Sequence, residues 1–557
     1  MELLIADTAG IQPYIFGSNR LRENIGASFL VDQATGDWAR EALMQVCAGH
    51  CNVRQDGSLD PDWHLEAAGH KDGAEVIYSG GGNLLALFDS TGAAERFARA
   101  LSLRALTEAP GLDLVIQRRP LTWDREPLAE SLESLLRELA RHKQSRPRLA
   151  PLAGLGVTQT CPSTGLPVVG KIDVAGKPRA VSAEILAKLI ASRPAPRGGR
   201  SPAEERLYAM ADSGAGFAFP RDLAELGGTP GEQSYMAVVH ADGNGMGQRL
   251  QEAAKDRQGT RAEIEALRAF SQGVSSAGKE ALKAMVTTLV NAIEFVDGTP
   301  VIRHPCLSGL EVRLARDNET EGWFLPLRPL VFGGDDLTFV ADGRLGLELA
   351  TAFLDAFAHE TAELSGGGAS ASAGIAIVKS SRPFAGAYAL AEELCGSAKH
   401  YRREKTIHGG CLDWHFSSTA TGAPLEVLRA REYGVRFNGG EYSLLLRPVA
   451  LEAAPTARVG GTWPTVCTGI AAFQNPNWID RRNKTKALRE ALRGGPDAVE
   501  WFRNKYLDGK TLPALPAGLE QCPGQGWQGD RCGYFDAVEI FDRFIPLRPM
   551  TDMGGHD

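Results

Sequence analysis

Short apolar runs closed by polar turns alternate along this chain with stretches whose apolar residues recur every three to four positions, a mixture that predicts an α+β fold. Residues 2 to 7 read as a buried strand ending in Asp7, and the chain turns helical after Pro13. Ala74–Phe88 reads as two apolar strands around a turn of Gly80, Gly81, Gly82 and Asn83, followed by a helix over Ala93–Leu106 and a strand over Leu112–Gln117. The same order then returns. Met236–Asp242 is an apolar strand that again ends in an aspartate, with Gly243, Asn244, Gly245, Met246 and Gly247 behind it. Leu330–Val340 reads as a hairpin tipped by Gly333, Gly334, Asp335 and Asp336. Leu345, Leu349, Phe353 and Phe357 keep helical spacing, Ser370–Val378 reads as a strand, and Ala387–Arg403 places Ala387, Leu390, Ala391, Leu394, Ala398 and Tyr401 on one helix face.

The two halves also match letter by letter, IADTAG against HADGNG and YSGGGNLLALF against VFGGDDLTFVA, which an internal duplication explains better than chance. The first copy has Gly82 and Asn83 where the second has Asp335 and Asp336, so metal binding is expected of the second alone. The expected division is a degenerate first copy over residues 1–120, a small partly helical segment over 121–230, the second copy over 231–412 and a helical region over 413–557. Leu128–Lys143 carries leucines at helical spacing, and Arg193–Pro202 reads as an exposed loop. Arg481, Arg482, Lys484 and Lys486 form a basic run, either a solvated face or a contact for RNA or a partner.

Composition narrows the classes. At 557 residues the chain exceeds one ordinary core, and 43% hydrophobic with 23% charged residues is normal for a globular protein. A net charge of −8 argues against a uniform positive coat for nucleic acid. No positively charged, apolar leader opens the sequence and no apolar run is long enough to span a bilayer. Nine cysteines without a CxxC read as reduced thiols in the cytoplasm. Cys47, His50 and Cys51 cluster without a matching second pair, so zinc is not expected.

Asp242, Asp335 and Asp336 are the candidate catalytic and metal-binding residues. Adjacent carboxylates repel, and oxygen donors of this kind suit two Mg²⁺ or Mn²⁺ ions in a nucleotidyl transfer. Gly243, Asn244, Gly245 and Gly247 open a helix whose free N–H groups suit a triphosphate, or else form a simple strand-to-helix turn. Gly333 and Gly334 leave room for a ligand to approach the main chain. Lys399, Arg402 and Arg403 share the end of the last helix as phosphate contacts or as an exposed basic turn. Ser370 and Ser372 are candidates for a base or ribose contact, though alternating Ser and Ala also suits close packing.

The tandem copies, the GGDD in the second only, the segment Gly10–Ser28 (GIQPYIFGSNRLRENIGAS) and the terminal DAVEIFDRFIPL together resemble the large polymerase/cyclase subunit of type III CRISPR effector complexes. The resemblance implies two ferredoxin-like palm domains that condense ATP into cyclic oligoadenylates when target RNA is bound, with nucleotides between the palms. It implies metal binding at Asp242, Asp335 and Asp336, triphosphate contact at Lys399, and guide or target RNA and other effector subunits as partners, with no membrane. Three departures stand out. The chain starts directly with the first copy rather than with an HD-type nuclease domain, and His556 and Asp557 are only a tail, so DNA cleavage is not expected. Asn244 stands where a second aspartate often does, and Cys161 alone remains of the family's zinc cysteines. A chain trimmed in this way also suits a self-standing defence enzyme. Two other functions are weighed: a non-catalytic RNA-binding scaffold, and a cyclic dinucleotide synthase. Arg22 and Glu23 are candidates for the contact between copies.

Overall fold

The computed structural model describes every residue except 70–71, 146–155, 175, 195–198, 229–234, 256, 319, 365–367, 418–422, 475–477, 479–481 and 550–557. Part of the expected 193–202 loop, Arg481 and the pair His556 and Asp557 therefore lie outside the described residues. The chain is mixed α+β. No described helix is long and apolar enough to cross a membrane.

The first sheet holds β1 (Glu2–Ala9), β2 (Ala74–Gly80), β3 (Asn83–Phe88) and β4 (Asp113–Pro120) in the antiparallel order β2-β3-β1-β4. Its strands are apolar on both faces. Leu4, Ala6, Leu84 and Ala86 pack with helices α1 (Ile11–Phe16), α2 (Leu21–Thr35) and α3 (Thr91–Glu108). Leu3, Ile5, Leu85 and Leu87 pack on Leu128, Leu132, Leu135 and Leu139 of α4 (Leu128–Ser145). Period-2 alternation thus explains the continuous apolar run: odd and even residues serve two different cores.

The second sheet is built on β5 (Tyr235–Gly243), the hairpin β6 (Leu327–Phe332) and β7 (Leu337–Asp342), and β8 (Ala371–Lys379), in the order β6-β7-β5-β8. β9 (Cys411–Ser417) adds parallel to β8, and Val449–Ala450 pairs antiparallel beyond it. The sheet therefore runs past residue 412, the expected boundary, and the region after it includes a small sheet of Gly434–Phe437, Gly440–Ser443, Arg531–Cys532 and Trp527–Gln528 among its helices. Helices α5 (Met246–Ala254), α6 (Thr260–Asn291) and α7 (Gly346–Glu360) lie in the second half, and α8 (Phe384–Glu404) follows β8. Ala237, Val239 and Ala241 face α6 and α7, while Met236 and Val238 join Phe384, Ala387 and Leu394 of α8 in the core shared with the first sheet.

The duplication read from the letters reappears in the geometry. Each hairpin slips register six residues before the position after its turn, at Ile77 ahead of Asn83 and at Leu330 ahead of Asp336. Each strand-end aspartate is followed three residues later by a left-handed glycine that opens a helix, Gly10 (φ 62°) and Gly245 (φ 69°). The hairpin tips touch. A Cβ on Gly333 would lie 3.1 Å from the Gly81 Cα. Phe16 stacks on Tyr388 at 4.1 Å between centroids, and the Gln12 side chain donates to Glu392 at 3.1 Å, so α1 docks on α8. Glu23 is not part of that contact. It is buried, accepts from Ser18, and pairs with Arg179 of the intervening segment.

Candidate functional site

Strand register brings the acidic residues together. Ala241 faces Leu337 across β5 and β7, so one step further along each strand Asp242 lies beside Asp336. The turn is closed by the Gly333 N–H donating to the Asp336 carbonyl at 2.8 Å, with Gly334 at φ 86°. Asp335 leans onto the end of β5. A Cβ at Gly243 would sit 2.6 Å from its Oδ2, so the missing side chain at 243 is what admits this carboxylate.

Charge in the cluster is only partly balanced. Lys399 Nζ donates to Asp242 Oδ2 at 2.5 Å and to the Gly243 carbonyl at 2.8 Å. Burial, then the charges of Asp242 and Asp336, push the Asp335 carboxyl up to about 7. Burial and Asp242 push Asp336 up to about 7 against the pull of Lys399, although 43% of the Asp336 side chain stays open to solvent. Among the described residues, the Asp336 Oδ1 has no hydrogen-bond donor. His240 Nδ1 stands 3.5 Å from it, too far for a hydrogen bond, and contacts Thr338 Oγ1 at 3.1 Å. Burial holds this imidazole below its usual range, so it is neutral at pH 7 and leaves the carboxylates uncompensated.

Among the described residues, no three His, Cys, Asp or Glu side chains converge as a metal cage, and Asp242 Oδ2 is engaged by Lys399. The donor set nevertheless fits a hard divalent cation. Crowded carboxylate oxygens with raised proton affinity and one orphaned oxygen are what such an ion would relieve.

Of the other residues singled out in the sequence, Asn244 is buried. Its N–H donates to the Ser370 carbonyl (2.8 Å), its amide to Ser370 Oγ (3.0 Å), and its Oδ1 accepts from Ser372 Oγ (3.0 Å). Ser372 is wholly enclosed, so the expected base or ribose contact gives way to a role in holding the loop, and Asn244 faces inward as well. Arg402 donates to the carbonyls of Gly409 and His408 at 3.1 and 3.3 Å, which ties down the loop after α8 in place of an open phosphate contact. Arg403 is exposed, and Gly245 and Gly247 lie exposed at the start of α5. A partly open pocket of about 50 Å³ lined by Arg328–Phe332, α2 and the helix Pro202–Met210 lies along the far edge of the hairpin, and it is too small for a nucleotide.

Two participants were missed in the sequence. Lys143 Nζ meets Asp7 Oδ2 at 2.5 Å, and it stands 15 residues into α4, as Lys399 stands 15 residues into α8. Gly278, inside α6, lies against the acidic turn: a Cβ there would fall 1.8 Å from the Gly334 carbonyl oxygen. A glycine within a helical run is the signal that could have marked it.

This strand, acidic hairpin and basic helix lie within residues 235–407, which match the family model for Cas10/Cmr2, second palm domain. The match spans 173 of the 557 residues. Solved structures share the fold of the chain at low identity. A chain of the Csm1-Csm4 cassette in complex with pppApA is 14% identical with a TM-score of 0.51, covering 97% of this chain and 69% of that one. The same cassette with AMPPNP gives 15% identity, a TM-score of 0.50, and the same coverage of 97% and 69%. In the structure with cA4 the match is 15% identical with a TM-score of 0.41 over 72% of this chain, which spans only 52% of that chain. No curated protein matches the chain.

Proposed function

We propose that the chain is a two-palm nucleotidyltransferase of type III effector character that condenses ATP into cyclic oligoadenylates. The observation that carries this reading is the cluster of Asp242, Asp335 and Asp336 beside Lys399, at the tip of a segment matching the Cas10/Cmr2 second palm. The Csm1-Csm4 structures of the same fold hold AMPPNP and pppApA, which supports ATP as substrate and other effector subunits as partners.

Asp242, Asp335 and Asp336 would hold Mg²⁺ or Mn²⁺. When bound, such a cation supplies the positive charge that acidifies a ribose hydroxyl and offsets the pyrophosphate leaving group. The chain's own residues do the rest. Gly243 and Gly334 keep side chains out of the space where the two acidic segments meet. Asn244, Ser370 and Ser372 lock the loop behind Asp242. Lys399 neutralises Asp242 and provides the mobile cation for a triphosphate oxygen. In the first sheet, read here as a degenerate palm, Asp7 and Lys143 repeat the strand and helix partners without the hairpin carboxylates.

The test is pyrophosphate release from each labelled nucleotide by the purified full chain with Mg²⁺ or Mn²⁺, with and without RNA, and products separated by chromatography. Ring-closed adenylates support the reading. Cyclic dinucleotides would change the product, and no turnover under any condition would leave a scaffold.

A further inference from the structure

The 32-residue helix α6 is fastened to the first half of the chain over its opening turns. Thr260 N donates to Asp124 Oδ1 at 2.9 Å and Ala129 N donates to Glu263 Oε2 at 2.7 Å. The strongest attachment is a buried one. Glu75 of β2 is fully enclosed, and its Oε1 accepts from Arg261 Nη1 and Arg268 Nη2, both at 2.7 Å. A carboxylate removed from water persists only where cations and donors compensate it, so these two guanidinium groups fix the helix against the first sheet. The Arg268 Nη2 also donates to the Val76 carbonyl at 3.0 Å, tying the same helix to the strand backbone.

Ten residues on, about 15 Å along the axis, the same helix meets the acidic turn without any side chain between the two backbones. A Cβ on Gly278 would lie 1.8 Å from the Gly334 oxygen and 2.7 Å from its carbonyl carbon, and one on Gly334 would lie 3.5 Å from the Ser275 Cα. Helix interiors favour alanine over glycine, so a glycine aimed at a carbonyl has a packing reason. The other glycine of this helix, Gly273, meets only the tip of the Leu364 side chain, which can move.

We propose that α6 is a strut that sets the Asp335–Asp336 turn relative to the first sheet, with Gly278 as the positioning residue at one end and the Glu75–Arg268 contact as the anchor at the other. This rests on the cation site proposed above. Its consequence is that a change at the anchor end of α6, far from every carboxylate of the cluster, alters cation binding.

The experiment measures Mn²⁺ binding to the full chain by electron paramagnetic resonance, beside helix content and melting temperature. Gly278→Ala is expected to weaken Mn²⁺ at least tenfold with helix content kept and no gain in melting temperature, and Arg268→Met at least threefold. Gly273→Ala is expected to bind as wild type. Asp335→Ala with Asp336→Ala supplies the reference for loss of the site. If that double variant binds as wild type does, or if wild type binds none, the cation reading has failed and the strut falls with it. If the double variant loses Mn²⁺ while Gly278→Ala and Arg268→Met keep wild-type affinity, the strut alone is overturned. A Gly273→Ala loss equal to that of Gly278→Ala, or a higher melting temperature in Gly278→Ala, would equally reject it. Should Gly278→Ala fail to fold, Arg268→Met decides.

Discussion

At the end of β1, Asp7 meets Lys143 at 2.5 Å, and at the end of β5, Asp242 meets Lys399 at the same distance. Both strands lie between a bulged hairpin and a fourth antiparallel strand, and both lead through a left-handed glycine into a helix. The halves part at the hairpin tips. The first turn is three glycines with positive φ, at 156°, 62° and 82° for Gly80, Gly81 and Gly82, and the second has only Gly334 in that region. The two turns differ in backbone as well as in letters. Asp335 occupies a conformation open to any side chain, whereas Gly82, its sequence counterpart, does not.

The largest effect should come from removing what the second half has and the first lacks. Asp335→Ala with Asp336→Ala is expected to cut pyrophosphate release by about 10³-fold or more. The fold should survive with an unchanged or higher melting temperature, because crowded, protonation-prone carboxylates have been taken away. Normal product from this variant would reject the site assignment.

The shared lysines test how far the likeness extends. Lys399→Met is expected to lower turnover by about 10–100-fold, because Asp242 loses its partner and the triphosphate its cation. Lys143→Met should change turnover less than tenfold, since Asp7 has no hairpin carboxylates beside it. Equal losses in the two variants, read as kcat and KM for ATP, would make the first sheet an equal participant.

Much of this was legible in the letters, because the strands are short apolar runs between glycine turns and the aspartates close them. The order of elements, the duplication and the meeting of Asp242 with the hairpin all follow from period-2 alternation and register, which a sequence displays. What was hidden depends on contacts between distant segments. Nothing local says that Ser372 Oγ would be spent on Asn244, or that Arg402 would hold the carbonyls of its own following loop. Lys143 lay in a recognised helix, but only the packing of α4 under the first sheet aims it at Asp7. The Glu23–Arg179 pair likewise depends on where the intervening segment folds back.

A direct attempt to convert one half into the other sharpens the contrast. Gly82→Asp is expected to destabilise the chain by about 1–3 kcal/mol, because it places an L side chain at φ 82°. Its Cβ would also lie 2.6 Å from Thr8 Oγ1 and 2.8 Å from Ile11 Cδ1. Asn83→Asp, at a half-buried position of ordinary backbone, should cost less than 1 kcal/mol. Neither change should create a second Mn²⁺ site. Thermal melts and Mn²⁺ titration of both variants check this, and a stable Gly82→Asp chain that gains a bound ion would erase the distinction between the turns.

The smallest expected effect is a slope with pH. Asp335 and Asp336 are raised from an unfolded value of 3.8 to about 7, so between those limits the folded, cation-free chain binds more protons than the unfolded one. Stability from this source is therefore fully present below about pH 4 and is lost as pH rises through 7, opposite to the trend of a salt-bridged carboxylate. Asp7 shifts the same way through burial, but Lys143 opposes it. Hence Asp335→Asn with Asp336→Asn should flatten the slope of melting temperature against pH between 5 and 8 in chelator, whereas Asp7→Asn should leave most of it. A slope that survives the double variant would mean that the crowding of charge at the second hairpin is not what distinguishes the two halves, and the argument for a cation there would lose its electrostatic half.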